Sequence, residues 1–484
     1  MQLFGLLWLL LPHCLPGVWR ALAYWQHCMP LLTTYWLTAL RAGRLARAGD
    51  VAGSEALWAV QHQRGAQRLF EVLCELKGFY LKLGQILATK TDLLPPAYTD
   101  SLAGLLDKLP SQPFHQVVRS LERELGRPLH TLFQELDPFP LASATIGQVH
   151  RGVVRLAVPG NKGPAPLFDV AVKVQHPGVR RALRADLANM KLGVDLLDRL
   201  GVELGFDLGS VVREYHVAVP LECDFLREAA VQSAVRSSLA RHAAAFPLLH
   251  RVVVPAVLSS HSSSRVLVME FLEGVPLLDA APLGPDTRSM LMQALVMAFG
   301  IQILVDGCHH TDPHPGNLMA LVRDGQPCVG LLDFGQVREL SPDERRRQAL
   351  LVLALASRDG DLLRATLAEL GVRIENCSEE FVEAAGYILF DTRMDFAEAL
   401  QRPLDPAANP GWRSARVPRL PRDLFMMMRV ITLLRGVMAS MHVYDVSSAL
   451  LWRPLAMQVS SWHHRLIKRG RLHVITLQVN RACA

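Results

Sequence analysis

His310-Thr311-Asp312-Pro313-His314-Pro315-Gly316-Asn317, followed sixteen residues later by Asp333-Phe334-Gly335, is the stretch that decides how this chain reads. An Asp, an Asn five residues on, and a second Asp closing the apolar run from Val329 place three oxygen-bearing side chains around one point. Phosphoryl transfer requires that set: one carboxylate to face the acceptor's proton, and an amide with a carboxylate to hold Mg2+. Asp312 takes the first role; Asn317 and Asp333 take the second. Two other readings compete. One is a Pro/Gly loop before an ordinary strand. The other is a metal cluster of His309, His310, Asp312 and His314, although a Pro-rich loop rarely gives the faces such a set needs, and no partner cluster is visible elsewhere.

Working outward, Phe168 to Val174 alternates and is rich in β-branched residues, with Lys173 closing Val170-Ala171-Val172-Lys173. A Lys on a buried strand must find an anion, and nucleotide phosphates are the anion this context offers. An edge-strand Lys turned to solvent is the plain alternative. The acids Glu222, Asp224 and Glu228 fall within seven residues. On a helix Glu222 and Asp224 diverge, whereas Asp224 and Glu228 stand four apart and share a face. A solvated charged face is the bland reading of that run. No Gly-x-Gly-x-x-Gly precedes Lys173; Leu141-Ala142-Ser143-Ala144-Thr145-Ile146-Gly147-Gln148 stands there instead. No Ala-Pro-Glu follows Gly335, so a peptide-substrate platform is not expected.

The rest of the chain gives the organisation. Leu69, Val72, Leu73, Leu76, Tyr80, Leu83 and Leu87 share one helical face until Pro95-Pro96 breaks it. Strand texture starts around Ile146, and a loop of turn residues at 159–164 makes a hairpin with the strand of Lys173. Residues 252–257 and 266–271 read as short strands, 286–306 as a buried helix, and the chain beyond Pro342 as helical. The order is helices, a small β-rich lobe, then a large helical lobe. With 484 residues, 50% apolar and 20% charged, the chain can bury a large core, and collagen-like, coiled-coil and disordered classes are excluded. Eight Cys without a Cys-x-x-Cys pair argue against a disulfide scaffold or zinc ribbon and leave a reducing compartment as the default. A net charge of +6 favours phosphate-rich ligands or anionic membranes and is too small to specify nucleic acid.

Residues 1 to 49 hold no Asp or Glu, and four of the eight Trp lie there (Trp8, Trp19, Trp25, Trp36) beside Arg20, Arg41, Arg44 and Arg47. Neither Leu3–Leu11 nor Leu31–Leu40 reaches the roughly 20 apolar residues of a spanning helix. An organellar targeting segment, an amphipathic helix in a membrane interface and a helix packed on the body all fit. The basic run His463 to Arg471 fits an anionic-membrane contact or a solvated terminal face.

Taken together, the chain resembles the UbiB or ADCK family of atypical kinase-like proteins (aarF-domain-containing kinases) from about residue 56 to about 440. The match rests on Lys82-Leu83-Gly84-Gln85 (the family's K-x-G-Q), the Ala-rich loop, Lys173, Glu222-x-Asp224, Asp312 to Asn317 and Asp333-Phe334-Gly335, all in family order. The resemblance implies an α+β, two-lobed protein-kinase-like fold: a small β-rich N-lobe, a helical C-lobe and an N-terminal helical extension over the active site. The expected parts are a targeting or membrane-interface segment (1–50), the K-x-G-Q extension (51–135), an N-lobe with inserted helices (136–272) and a helical C-lobe (273–484). Carried over, Lys82 and Gln85 reach into the cleft and meet Glu222 and Asp224, and Glu228 pairs with Lys173. The loop Ala142, Ser143, Ala144, Thr145, Ile146, Gly147, Gln148 and Val149 contacts the nucleotide phosphates through its backbone. It departs from the family's Ala-Ala-Ala-Ser at two positions by small substitutions that keep the N–H donors.

The resemblance further implies ATP/ADP binding with Mg2+ and a slow ATPase or unconventional kinase. The setting is prenylquinone (coenzyme Q type) metabolism, peripheral to a mitochondrial or plastid membrane. Adenine nucleotide, an anionic membrane or prenyl lipid, and quinone-biosynthesis proteins are the expected partners, with no nucleic acid. A catalytically inactive, nucleotide-gated scaffold is the alternative. A small-molecule phosphotransferase shares the His-x-Asp-x-x-x-x-Asn pattern but not the K-x-G-Q or Glu222-x-Asp224 elements.

Overall fold

The computed structural model describes residues 16–76, 78–88, 95–103, 111–156, 165–199, 212, 216, 219–280, 283–311, 313–375, 378–394, 416–419 and 421–468. The chain divides into two compact units, Met1–Arg227 with Leu258–Glu270, and Glu228–Val257 with Phe271–Ala484.

The first unit opens with helices α1 (Pro16–Arg47), α2 (Val51–Leu76), α3 (Phe79–Ala88), α4 (Pro96–Ala103) and α5 (Phe114–Leu125). The apolar periodicity predicts one helix through residues 69–87, but the chain stops at Leu76 and restarts at Phe79. Gly78 sits at φ +59° between them, a left-handed conformation that glycine takes without steric cost. Asp186 fixes the restart from helix α6 (Val179–Arg199). Its Oδ2 accepts the Phe79 N–H at 3.2 Å, and its two oxygens accept from Arg20 Nε and Nη2 of α1, each at 2.6 Å. Val72, Leu73, Phe79 and Tyr80 bury their side chains with Leu183 and Leu187 in one apolar cluster around this ion pair. Helix α1 is therefore packed on the body, through Ala23, Thr38 and Ala42.

A four-stranded antiparallel sheet follows, in the order β1 (Glu135–Ser143), β2 (Gly147–Arg155), β3 (Leu167–Gln175), β5 (Val266–Glu270). Strand β1 lies before the point where strand texture begins in the sequence. Pro138 and Pro140 mask it, and both are tolerated because β1 is an edge strand with irregular register around Pro140. Strand β3 is paired on both sides, so Lys173 stands on an interior strand and not on an edge. Val154, Val170, Val172 and Val268 pack one face of this sheet against Val117 and Leu121 of α5.

The second unit contains most of helix α7 (Phe225–His242) and a mixed sheet ordered β4 (Val252–Val253), β9 (Gln326–Leu331), β8 (Leu318–Arg323), β6 (Gly274–Pro276). The two short strands read around 252–271 thus belong to different sheets. Helix α8 (Pro285–Gly300) continues into a π-helical turn, Ile301–Asp306. The span Pro285–Asp306 is long and apolar enough to cross a membrane, but its 72% burial within the protein makes it a core helix. Strands β7 (Cys308–His310) and β10 (Val337–Glu339) pair antiparallel. Helices α9 (Pro342–Ser357), α10 (Gly360–Glu369), α11 (Glu379–Phe390), α12 (Arg422–Ser440) and α13 (Ser448–Lys468) complete the unit, with the short pair β11 (Arg373–Glu375) and β12 (Arg416–Arg419). Trp452 of α13 is fully buried, its indole N–H donating to the Val296 carbonyl of α8 at 2.7 Å.

Candidate functional site

In the second unit two short ladders place the candidate ligands. The β8–β9 hairpin pairs Leu318 with Leu331, and beyond its open end the Leu332 N–H donates to the Asn317 carbonyl at 3.1 Å. Asn317 and Asp333 consequently leave the hairpin next to one another. The β7–β10 pair aligns His310 with Val337, and the Thr311 N–H extends it by donating to the Gln336 carbonyl at 3.0 Å. Thr311 and Asn317, the two ends of one loop, are thereby tied to Gln336 and Leu332 of the other. Asp312 lies outside the described residues.

Local contacts complete this half. Asp333 Oδ1 accepts the Gly335 N–H at 2.7 Å, and His314 Nδ1 accepts the Gly316 N–H at 3.1 Å. The His310 ring lies between Phe334 and Phe299, at centroid distances of 5.9 and 6.4 Å. Glu228 is buried on α7, with Oε2 3.6 Å from where a Cβ on Gly335 would stand. The second unit thus gathers Asn317, Asp333 and Glu228. The amide oxygen of Asn317 and the carboxylate of Asp333 are hard oxygen donors, the chemistry that suits Mg2+.

The histidine-cluster reading finds no geometry. His309 is buried on β7, neither ring nitrogen has a hydrogen-bond partner among the described residues, and burial pushes its pKa down to about 3. Its cross-strand neighbour Arg338 pairs with Glu344 at 2.7 Å. Among the described residues no three His, Cys, Asp or Glu side chains gather as a metal-binding group.

In the first unit the Ala-rich loop is the turn between β1 and β2. The Ala144 N–H donates to the Gly147 carbonyl at 2.9 Å, and His176 clasps the turn from the end of β3: its N–H donates to the Ile146 carbonyl and its Nε2–H to the Ala144 carbonyl, both at 2.9 Å. Ala142 and Ala144 are exposed, with Ser143 and Thr145 half-buried. Ile146 packs against the apolar cluster of α2, α3 and α6, and Gln148 is buried. Val149 stands opposite Lys173 in the β2–β3 register. Lys173 Nζ lies over the Phe225 ring, 5.0 Å from its centre, a cation–π arrangement.

The acidic run differs from its helical reading. Helix α7 begins at Phe225, so Asp224 does not share a helical face with Glu228. It precedes the helix and caps it, Oδ1 accepting the N–H groups of Leu226 at 3.2 Å and Arg227 at 3.4 Å. Glu222 is buried, in a segment tied to β3 by the Gln175 amide, which donates to the Cys223 carbonyl at 2.7 Å. Lys82 and Gln85 fall on α3, whose amino end Asp186 holds; their side chains lie outside the described residues.

Motif reading passes over two residues that position the site. Asp186 stands on the apolar face of α6, three residues after Leu183 and four before Met190, and an acid in an apolar stripe is the signal that marks it. Gln302, a polar residue in the buried helical run, is turned by the π-helical segment so that Oε1 accepts the His310 N–H at 3.2 Å while Nε2 donates to the Ala298 carbonyl at 3.2 Å.

Comparison with known proteins gives the family. The family model for the ABC1 atypical kinase-like domain matches residues 104–367. A protein of Synechocystis is 33% identical over 345 residues, 70% of this chain and 78% of that protein. AarF domain-containing protein kinase 1 of Xenopus laevis is 29% identical over 406 residues, 81% of this chain and 74% of that one. A chloroplastic aarF domain-containing protein kinase of Arabidopsis thaliana is 33% identical, the match covering 63% of this chain and 54% of the plant protein. Among solved structures, that of Rv3197 with erythromycin, from Mycobacterium tuberculosis, matches with TM-score 0.50 and 27% identity, over 84% of this chain and 98% of that one. The fold is α+β and kinase-like, and the chain belongs to the ABC1 atypical kinase-like family.

Proposed function

We propose that the chain binds ATP or ADP with Mg2+ and acts as a slow ATPase or unconventional kinase supporting prenylquinone metabolism at an organellar membrane. The observation that carries the reading is the hairpin that sets Asn317 beside Asp333 through the Leu332–Asn317 bond. In this reading Asn317 and Asp333 hold Mg2+, which offsets phosphate charge when bound. Lys173 and the backbone N–H groups of the Ala142–Val149 turn hold the phosphates, and Asp312 faces the proton of the attacking group. Lys82, Gln85 and Glu222 tune nucleotide choice. Seven residues after Gly335, α9 has already begun, and three of those between form β10 against β7. So short a run offers no peptide platform, which favours water or a small acceptor over a protein substrate.

The organellar setting draws on the plant relative labelled chloroplastic and on α1. Val18, Leu22, Met29, Trp36 and Leu40 recur at spacings of four and seven, so they form one outward stripe; Trp36 is 61% exposed. Arg41, Arg44 and Arg47 end the helix, which contains no acid. That pattern suits the surface of an anionic bilayer. Flotation with anionic vesicles should be lost in a Leu22→Glu/Trp36→Glu variant, and equal flotation would remove this part of the proposal.

Thermal unfolding with ATP or ADP, with and without Mg2+, beside Asp333→Asn tests the core reading. Ligand at 100 times its Kd adds about 2.7 kcal/mol to the folded state. A Mg2+-dependent shift, absent in the variant, is the expected result. A shift indifferent to Mg2+ overturns the metal assignment, and no shift overturns the nucleotide reading.

A further inference from the structure

Gln148 belongs to the phosphate turn by sequence, yet its side chain is 1% exposed and sits in a polar lock. Its Oε1 lies 2.7 Å from the backbone nitrogen of Gln112, and its Nε2 lies 2.8 Å from Nε2 of His150, itself fully buried. His150 Nδ1 lies 2.8 Å from the carbonyl oxygen of Asp137 on β1. A carbonyl can only accept, so Nδ1 carries the ring proton and Nε2 is an acceptor. Nε2 therefore takes a hydrogen from the Gln148 amide, which turns the amide oxygen toward the Gln112 N–H. Only one assignment satisfies every group, so the lock has a direction: Gln112 donates to Gln148, Gln148 to His150, and His150 to Asp137. Buried polar groups connected this way hold one geometry, because any slip strands a group without its partner.

The placement of Gln112 gives the lock its consequence. It precedes α5 in the segment 111–113, reached by the chain after α4 of the helical extension. The phosphate turn is attached to the extension a second time through Ile146, which packs into the cluster of α2, α3 and α6. The geometry points to Gln148 as a positioning residue that ties the phosphate turn to the segment leaving the extension, so that nucleotide binding and the order of that segment are coupled. This rests on the nucleotide reading above. By linkage the coupling is reciprocal: whatever shifts the extension changes nucleotide affinity by the same factor.

The Gln112 amide proton is itself the first bond of the lock, so hydrogen exchange reads it directly. In the wild-type chain, ADP or ATP with Mg2+ should slow exchange at Gln112 and in the first turn of α5. Gln148→Met, which keeps the volume and removes all three side-chain bonds, including the 3.4 Å one from Nε2 to the Gln112 carbonyl, should abolish that nucleotide-dependent protection and weaken nucleotide affinity about fivefold or more, the lower range of measured couplings. Gln148→Glu still accepts from Gln112 but has no N–H for the His150 Nε2 acceptor or the Gln112 carbonyl, so it should restore at most part of both. A purely structural lock would lower stability without altering nucleotide affinity, so wild-type affinity in a folded Gln148→Met overturns the proposal. Unchanged Gln112 exchange on nucleotide addition to the wild type overturns it without any variant. A wild type that binds neither nucleotide overturns the function reading and the coupling together, whereas binding without coupling removes only the latter.

Discussion

The two units position their candidate site residues by different means. In the second, backbone ladders do the placing: Asn317 and Asp333 come together because the chain between them is a hairpin, and loop 311–317 is tied to 332–336 by β7–β10 and the Thr311–Gln336 bond. In the first, ladders place Lys173 and the Ala-rich turn, but side chains add ties across long stretches of chain. Arg20 and Asp186 lie 166 residues apart, Gln175 and Cys223 48, Gln112 and Gln148 36. A ladder built from main-chain groups tolerates substitution at most of its positions. A side-chain lock fails when one residue changes, and fails at a full desolvation cost if the partner stays buried.

The largest expected effect is therefore at Asp186. Asp186→Leu leaves the Arg20 guanidinium mostly buried without its carboxylate, and losing one partner of such a pair costs about 3–5 kcal/mol. Burial pushes the Asp186 carboxyl up from its ordinary range, while Arg20 and the Phe79 N–H oppose the shift, so the ion pair is what makes the buried acid tolerable. Arg20→Leu/Asp186→Leu should recover most of the loss in urea unfolding. Hydrogen exchange should locate the single variant's damage in α1, α3 and α6. Equal loosening of α9 and α12 would break the contrast, since the lock would then not be local to the first unit.

The same contrast explains what the sequence discloses. The motifs at 310–317 and 333–335 are legible because the spacing within one hairpin is itself the geometry. Lys173 is legible as a strand residue, but its interior position follows from pairing with β5, more than ninety residues on. The locks are illegible because nothing local in Asp186, Gln148 or His150 names a partner. The Asp224 helical reading fails for a related reason: three acids in seven residues give a periodicity, and periodicity alone does not say where a helix begins. The β1 strand is hidden by two prolines that only an edge position permits.

Side-chain fit in the second unit is tight against a buried ring at Gly300. A Cβ there would stand 2.3 Å from Cδ1 of the Trp452 indole, which is held by its own bond to Val296. Gly300→Ala should destabilise by about 1–3 kcal/mol through overpacking, measured by urea unfolding. A neutral result would show that α13 can slide on α8, and would remove the rigid backing assumed for the π-helical turn that presents Gln302.

His309 offers a smaller effect with a signature in pH. Its folded pKa of about 3 lies below its ordinary 6.5, so between those values the unfolded chain binds a proton that the folded chain refuses. Stability from this group is complete above about pH 6.5 and falls as pH drops toward 3, by up to about 1.4 kcal/mol per pH unit. His150 and His176, also lowered by burial, act in the same direction, so the slope of the wild type is a sum. His309→Leu gives up no hydrogen bond and should match the wild type at pH 8 while exceeding it at pH 5. An unchanged slope would mean that the His309 nitrogens have found water in solution.

The smallest effect separates a cap from a ligand. Asp224→Ala removes an N-cap whose two bonds, at 3.2 and 3.4 Å, are long, and the expected cost is about 0.5–1 kcal/mol. Ser341→Ala at the start of α9 is the internal standard. There a reciprocal capping box, Glu344 N–H to Ser341 Oγ at 3.2 Å and Ser341 N–H to Glu344 Oε2 at 2.8 Å, should cost at least as much when cut. If Asp224 acts only as a cap, its loss lowers stability modestly and leaves nucleotide affinity alone. If affinity drops while stability holds, the carboxylate serves the site as well as the helix, and the first unit would contribute a ligand through a local motif after all. That outcome would narrow the contrast between the units, because one acid would then be placed by its own helix cap in the way Asn317 and Asp333 are placed by their hairpin.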